Sequence, residues 1–283
     1  MEPLMLIQGN PLSALTPLIL VHAISGLALP YLGLSSLGED DRPVYGVTSP
    51  AYSDGDYRLP SSLRHVAQQY LGLIKRDVQP TGPYLLGGWS MGGVIALNMA
   101  DNLRQQNETV LHVIMIDSGC PGIYPPFHDR AEHETIAALL FATVTEGRAA
   151  RPSALASEHS GSSSEDDEDF DPNQIFSRMQ KHIHNGLAMI ACAGESECLA
   201  HGYDGKVTLI KCSSLSQPSS VLSSARKEAV LRCFVDEQSG WNQHGRFCDF
   251  RTLRVHSQHD SAFHKEHVSN LSRIIRGILT DVE

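Results

Sequence analysis

Residues 88–92 read Gly88, Trp89, Ser90, Met91, Gly92, a G-x-S-x-G run. That pattern suits a serine placed where a strand turns sharply into a helix. Small residues on either side let neighbouring backbone approach, and the turn lifts the hydroxyl clear of the sheet. A serine hydroxyl is a weak nucleophile and needs a base, itself oriented by a carboxylate. Four histidines, His256, His259, His264 and His267, crowd the C-terminal end and could supply the base. The oxyanion that develops on attack needs two backbone donors. The Met91 N–H is one candidate, and the segment His22 to Gly26 offers Ile24 as the other. Five letters alone say little, because a glycine-rich turn without chemistry would spell the same run. The flanking elements decide.

Those elements have a clear rhythm. Residues 18–21 and 44–47 read as buried strands, and residues 61–75 place Leu63, Val66, Ala67, Tyr70, Leu71 and Ile74 on one helical face. A strand over 84–86 leads into the serine run. A helix over about 91–105 carries Val94, Ile95, Leu97 and Met99, and 110–116 is a strand rich in β-branched residues. Strand and helix in alternation predict a mostly parallel sheet with helices on both faces. Beyond Asp117 the rhythm changes. Residues 121–205 read as a mostly helical lid insertion, with helices over 130–146 and 175–193. Between them, residues 151–173 have the Ser-rich, acidic composition of a disordered loop. A strand returns at 207–211, a further helical segment spans about 219–238, and 253–255 is a last short strand before a closing helix. The whole of 1–283 reads as one domain.

With the serine between a predicted strand and a predicted helix, the expected architecture is the α/β-hydrolase fold, whose catalytic order is Ser, acid, His. The acid belongs at the end of a strand beyond the nucleophile. The strand over 110–116 ends at once in Asp117, whereas 207–211 runs into Cys212, Ser213, Ser214 and Leu215 with no carboxylate. This selects Asp117, although an aspartate capping a loop is a common alternative. Spacing favours His259, in the loop after the last strand, over His264 near the closing helix.

The residues then resemble a family. Residues 17–26 (PLILVHAISG), 79–93 (QPTGPYLLGGWSMGG) and 114–117 (IMID) resemble the thioesterase domains of polyketide synthases, nonribosomal peptide synthetases and animal fatty acid synthase. Gly240 and Trp241 resemble the family's segment before the last strand. His259, Asp260, Ser261, Ala262 and Phe263, followed by His267 and Val268, match its C-terminal pattern in register. Asp260 departs from the usual Phe. The resemblance implies Ser90, Asp117 and His259 as catalytic residues, and release of an acyl chain from the phosphopantetheine thioester of an acyl carrier protein or thiolation domain. No cofactor of the enzyme's own is implied, since phosphopantetheine belongs to the partner. A free-standing fungal-type biosynthetic thioesterase is the expectation, with an excised domain as the competing one. A carboxylesterase or lipase of free oxygen esters, and a non-catalytic binding protein of the same fold, are the rival functions.

Composition bounds the rest. The 283 residues are 41% hydrophobic, with a net charge of -10. Mean hydropathy is -0.17. The acidic balance argues against nucleic-acid binding, and no apolar run is long enough to span a membrane. The N-terminus lacks a basic stretch followed by an apolar one, so a cytoplasmic location is expected. Six cysteines without metal-ligand spacing read as ordinary thiols, and His182 and His184 have no partner at zinc spacing, so no metal is expected.

Overall fold

The computed structural model describes residues 2–38, 41–149, 172–193, 203–216, 219–243 and 247–282. Seven strands form one sheet: β1 (Leu4–Gln8), β2 (Leu18–Val21), β3 (Val44–Val47), β4 (Tyr84–Trp89), β5 (Val110–Ile116), β6 (Lys206–Cys212) and β7 (Asp249–Val255). Their spatial order is β1-β3-β2-β4-β5-β6-β7. β1 lies antiparallel to β3, and the other neighbours are parallel. The helices described are α1 (Leu63–Asp77), α2 (Met91–Gln105), α3 (Arg130–Ala149), α4 (Pro172–Cys192), α5 (Ser224–Val235) and α6 (Val268–Thr280).

Period-two alternation gives the sheet two apolar faces. Val113 and Met115 of β5 join Ile19, Leu86, Val207 and Leu209 in one core, covered by α1 and α2. Ile114 and Ile116 join Leu18, Leu20, Leu85 and Ile210 in the other, covered by α6 through Val268, Leu271, Ile275 and Ile278. Each fully buried aliphatic side chain contributes about 1.5–3 kcal/mol. Local signals set the helix starts. The Ser62 side chain accepts from His65 N–H to cap α1, and Ser223 accepts from Arg226 N–H to cap α5. Such caps are worth about 1 kcal/mol each.

Strand order and register make the working edge. The chain lays β3 on one side of β2 and β4 on the other. The connections leaving β2 and β4 therefore run to opposite sides of the sheet, the switch point beside which ligands bind in open α/β sheets. Val21 pairs with Gly88, Trp89 with Ile116, Ile116 with Ile210, and Cys212 with Val255. The loops after β2, β4, β5, β6 and β7 thus emerge at one edge.

Several boundaries differ from the sequence expectation. β1 is not expected, because its half-buried residues show no alternation; its place comes from edge pairing with β3. β4 continues through Gly87 and Gly88, which look like turn residues but stay extended beneath close neighbours. β7 begins at Asp249, since Arg251 and Arg254 mask an edge strand that pairs along the whole of β6. α4 starts at Pro172, a residue suited to the first turn, so residues 172–173 are helical and not part of the acidic loop. Residues 151–171 of that loop lie outside the described residues. Between β5 and β6, α3 and α4 pack together through Ile136, Ala137, Met179, Ile183 and Leu187, with Leu27 and Tyr52 in the same cluster. Among the described residues no helix is long and apolar enough to cross a membrane.

Candidate active site

β4 ends at Trp89 and α2 begins at Met91, so Ser90 alone makes the turn between them. Its backbone sits at φ 58, ψ -124. A non-glycine residue there costs about 1–3 kcal/mol and persists only where its surroundings enforce it. The enforcement is visible. Ser90 N–H donates to Ile116 O at 2.8 Å. A Cβ on Gly88 would lie 2.3 Å from the Gly92 carbonyl carbon, and one on Gly92 would lie 2.1 Å from Val21 O. Only glycine at both positions allows α2 to start this close to β2 and β4.

Asp117 leaves β5 with φ 46, and its N–H donates to Ile210 O at 2.8 Å. Its carboxylate is used on both sides. Oδ1 accepts from the Cys212 N–H at 2.9 Å, and Oδ2 lies 2.7 Å from His259 Nδ1. The end of β6, which has no carboxylate, instead supplies an amide that orients the carboxylate of β5.

His259 opens a single 3-10 turn, His259–Ser261, in the loop after β7. Gln258 and Ser261 cap each other across this turn. Phe263 anchors the remainder of the loop, with its ring 5.0 Å from Trp89 and 5.3 Å from Tyr31. The Tyr31 hydroxyl donates to Val21 O and accepts from Trp89 N–H, tying the ends of β2 and β4 together. His259 Nε2 is 3.1 Å from Ser90 Oγ. Hydroxyl, imidazole and carboxylate thus form one continuous hydrogen-bonded line.

The electrostatics fit that line. Burial favours the neutral carboxyl of Asp117, but the His259 hydrogen bond and charge and the Cys212 amide outweigh it and hold its pKa below the usual value. Burial likewise lowers the pKa of His259, but the hydrogen bond and charge of Asp117, with a contribution from Asp260, more than offset this and raise it above the ordinary 6.5. Its side chain remains 39% exposed, so the ring is accessible from outside the protein. Such an arrangement lets a hydroxyl lose its proton to imidazole as it attacks a carbonyl, while the carboxylate holds the tautomer and stabilises the imidazolium.

The other three C-terminal histidines fall elsewhere. His264 is exposed, and His267 immediately precedes α6 without a side-chain capping hydrogen bond. His256 Nδ1 is 3.2 Å from Ser213 Oγ. Asp260, the departure from the family pattern, is exposed, which is why a charge is tolerated there. Met91 is the first residue of α2, where a backbone N–H has no acceptor within the helix. Ile24 lies in the turn after β2, beside Met91: a Cβ on Gly186 of α4 would meet Ile24 Cγ1 at 2.9 Å and Met91 Sδ at 3.1 Å. Two buried histidines hold this turn, His22 and His182; sequence reasoning weighs His182 only as a metal ligand and assigns neither a role here. His22 directly follows a fully buried strand, which is a usable signal. His182 comes from 158 residues away and carries none. Among the described residues, no three His, Cys, Asp or Glu side chains are grouped to hold a metal ion.

Comparison with known proteins gives a consistent picture. The family model described as the thioesterase domain matches residues 16–165, just over half of the chain. Thioesterase pytI of Aspergillus terreus is 38% identical over 305 residues, covering 98% of this chain and 98% of that protein. Thioesterase pynI of Aspergillus niger is 38% identical over 300 residues, covering 99% of each. Among solved structures, the NocB thioesterase domain in covalent complex with a fluorophosphonate nocardicin G analog superposes with a TM-score of 0.63 at 26% identity, covering 98% of this chain and 99% of that one.

Proposed function

The chain belongs to the thioesterase family, and on that premise we propose that Ser90, Asp117 and His259 release an acyl chain from the phosphopantetheine thioester of a carrier protein. The observation that carries this reading is the position of His259, with Nδ1 at 2.7 Å from Asp117 and Nε2 at 3.1 Å from Ser90.

In the first step Ser90 Oγ attacks the thioester carbonyl carbon while its proton passes to His259 Nε2. The oxyanion is held by the N–H groups of Met91 and Ile24. The tetrahedral species collapses as the C–S bond breaks, and the imidazolium returns its proton to the departing sulfur. The phosphopantetheine thiol leaves and an acyl ester on Ser90 remains. In the second step His259 takes a proton from water, or from a hydroxyl or amine of the substrate, as the incoming oxygen or nitrogen attacks the acyl carbon; the C–Oγ bond then breaks and the imidazolium returns the proton to Ser90 Oγ. Free acid, ester, lactone or amide is the corresponding product. The chemistry calls on no cofactor of the enzyme's own.

The insertion between β5 and β6, with α5, acts in this proposal as a lid. α4 lies against Ile24 and Met91, so the acyl chain would run between the insertion and the sheet edge, shielded from water.

The test is turnover of an acyl-N-acetylcysteamine thioester against a p-nitrophenyl ester of the same acid, with mass spectrometry of the trapped protein. Preference for the thioester, with acyl mass on the peptide containing Ser90, is the expected outcome. Efficient turnover of the oxygen ester alone would favour a carboxylesterase, and no turnover of either would favour a binding protein.

A further inference from the structure

The turn that carries Ile24 is held by two histidines from different parts of the chain. His22 Nδ1–H donates to the Ala23 carbonyl at 2.6 Å, and Gly26 N–H donates to the same oxygen at 3.0 Å. In a trans peptide the C=O and N–H point in opposite directions. Fixing the Ala23 carbonyl from two sides therefore fixes the direction of the Ile24 N–H. The next peptide is held as well: His182 Nδ1–H, from α4, donates to the Ile24 carbonyl at 2.9 Å.

The histidines also support each other. Their rings meet edge to face with centroids 5.0 Å apart. Tyr70 of α1 closes the far side through its hydroxyl, which donates to His22 Nε2. Both rings are buried. Burial pushes the His22 pKa down to about 3, helped by His182, and that of His182 down to about 4. Each is therefore neutral at ordinary pH, with one N–H to donate, and that proton goes to the Ile24 turn.

The approach of α4 is tight. A Cβ on Gly26 would lie 2.7 Å from the His182 ring, and one on Gly186, a helical turn further along α4, would meet both Ile24 and Met91. One face of an insertion helix thus packs on the side chains of both residues assigned to the oxyanion site.

From this geometry we propose that His182 is a positioning residue for acyl transfer: by holding the Ile24 carbonyl it fixes the peptide that follows the donor, braces the turn in which the Ala23 carbonyl sets the direction of the Ile24 N–H, and makes that direction depend on α4 being docked. The proposal rests on the assignment of Ile24 as an oxyanion donor. Its consequence is that the insertion does more than wall off the acyl chain. When α4 is docked the donor is aligned, and when α4 lifts away the Ile24 peptide loses one of its tethers, so closure over a substrate and readiness for chemistry become one event.

The experiment is the rate of Ser90 phosphonylation by an alkyl fluorophosphonate, whose phosphoryl oxygen occupies the oxyanion position, together with kcat and KM for an acyl-N-acetylcysteamine. His182→Leu keeps the bulk but removes the donor. The phosphonylation rate and kcat should fall about 10- to 100-fold, the scale of a reacting group misplaced by an ångström or less, with KM little changed. His182→Asn, which keeps an N–H near the Nδ1 position, should recover most of the loss. A purely structural role would lower the melting temperature and leave both rates at the wild-type value below it, and that result overturns the proposal. Should His182→Leu not fold, His182→Phe keeps a buried ring without the donor and probes the same hydrogen bond, and a wild-type rate in that folded variant would overturn the proposal equally. Replacing the Ile24 amide by an ester separates the premise from the proposal. An unaffected rate in the ester protein removes Ile24 from the oxyanion site. A slow ester protein alongside a normal His182→Leu keeps Ile24 in place and rejects the role of His182.

Discussion

Asp117 Oδ2 lies 2.7 Å from His259 Nδ1, joining two residues 142 positions apart at the C-terminal edge of the sheet. The contact raises the imidazole pKa and lowers that of the carboxyl, against the burial of both. A base must be neutral to accept a proton. The phosphonylation rate of Ser90 should therefore fall as pH drops through a midpoint above 6.5. In Asp117→Asn the raising influences of the carboxylate vanish and burial prevails, so the midpoint should move down. Plateau turnover should fall about 10⁴-fold, as when a triad aspartate becomes asparagine in a serine hydrolase. A pH-rate series on both proteins checks this, and an unmoved midpoint would place the controlling charge elsewhere.

Ser90→Ala removes the hydroxyl but leaves the backbone bonds that hold the turn, including Ser90 N–H to Ile116 O. The variant should fold with a near-normal melting curve, form no acyl-enzyme and lose several orders of magnitude in turnover. Near wild-type turnover would show that another group attacks.

His259 and His264 are five residues apart but face different surroundings. His259 bridges Ser90 and Asp117, whereas His264 is exposed. His259→Ala should abolish labelling of Ser90 by a fluorophosphonate probe, and His264→Ala should keep most of it. In-gel labelling of the two variants side by side decides the matter; the reverse pattern would exchange their roles.

Two glycines give a paired stability test. Gly92 lies under Val21, where a new Cβ would meet backbone oxygen at 2.1 Å, so Gly92→Ala must push α2 off β2. The expected loss is about 2 kcal/mol or more, together with lost labelling of Ser90. Gly72 sits on the exposed face of α1 with nothing within 4 Å of a new Cβ. Gly72→Ala should add about 1 kcal/mol by helix propensity and leave labelling unchanged. Urea unfolding of both variants measures the difference, and a similar loss in the two would mean that the close approach at Gly92 is relieved elsewhere.

What the sequence determined by itself is what a short stretch of backbone can encode. A turn that admits only small residues at two positions marks Ser90, because Gly88 and Gly92 are required by contacts within the same strand-turn-helix unit and with β2. A β-branched strand that ends on a carboxylate marks Asp117, and the amphipathic spacing in α1 and α6 marks the faces they bury. Tertiary structure decided whatever depends on register between distant segments. Loop position and the family register already favour His259 among four clustered histidines, but its distance to the line is set by the alignment of Cys212 with Val255 and the anchoring of Phe263 on Trp89 and Tyr31. β1 exists because β3 offers an edge, and β7 extends over polar residues because β6 pairs with its whole length. The contact of His182 with the Ile24 carbonyl has no trace in the chain at all. A hydrogen bond between a helix of the insertion and a loop 158 residues earlier leaves no local pattern, since neither residue type nor spacing records which surfaces will meet.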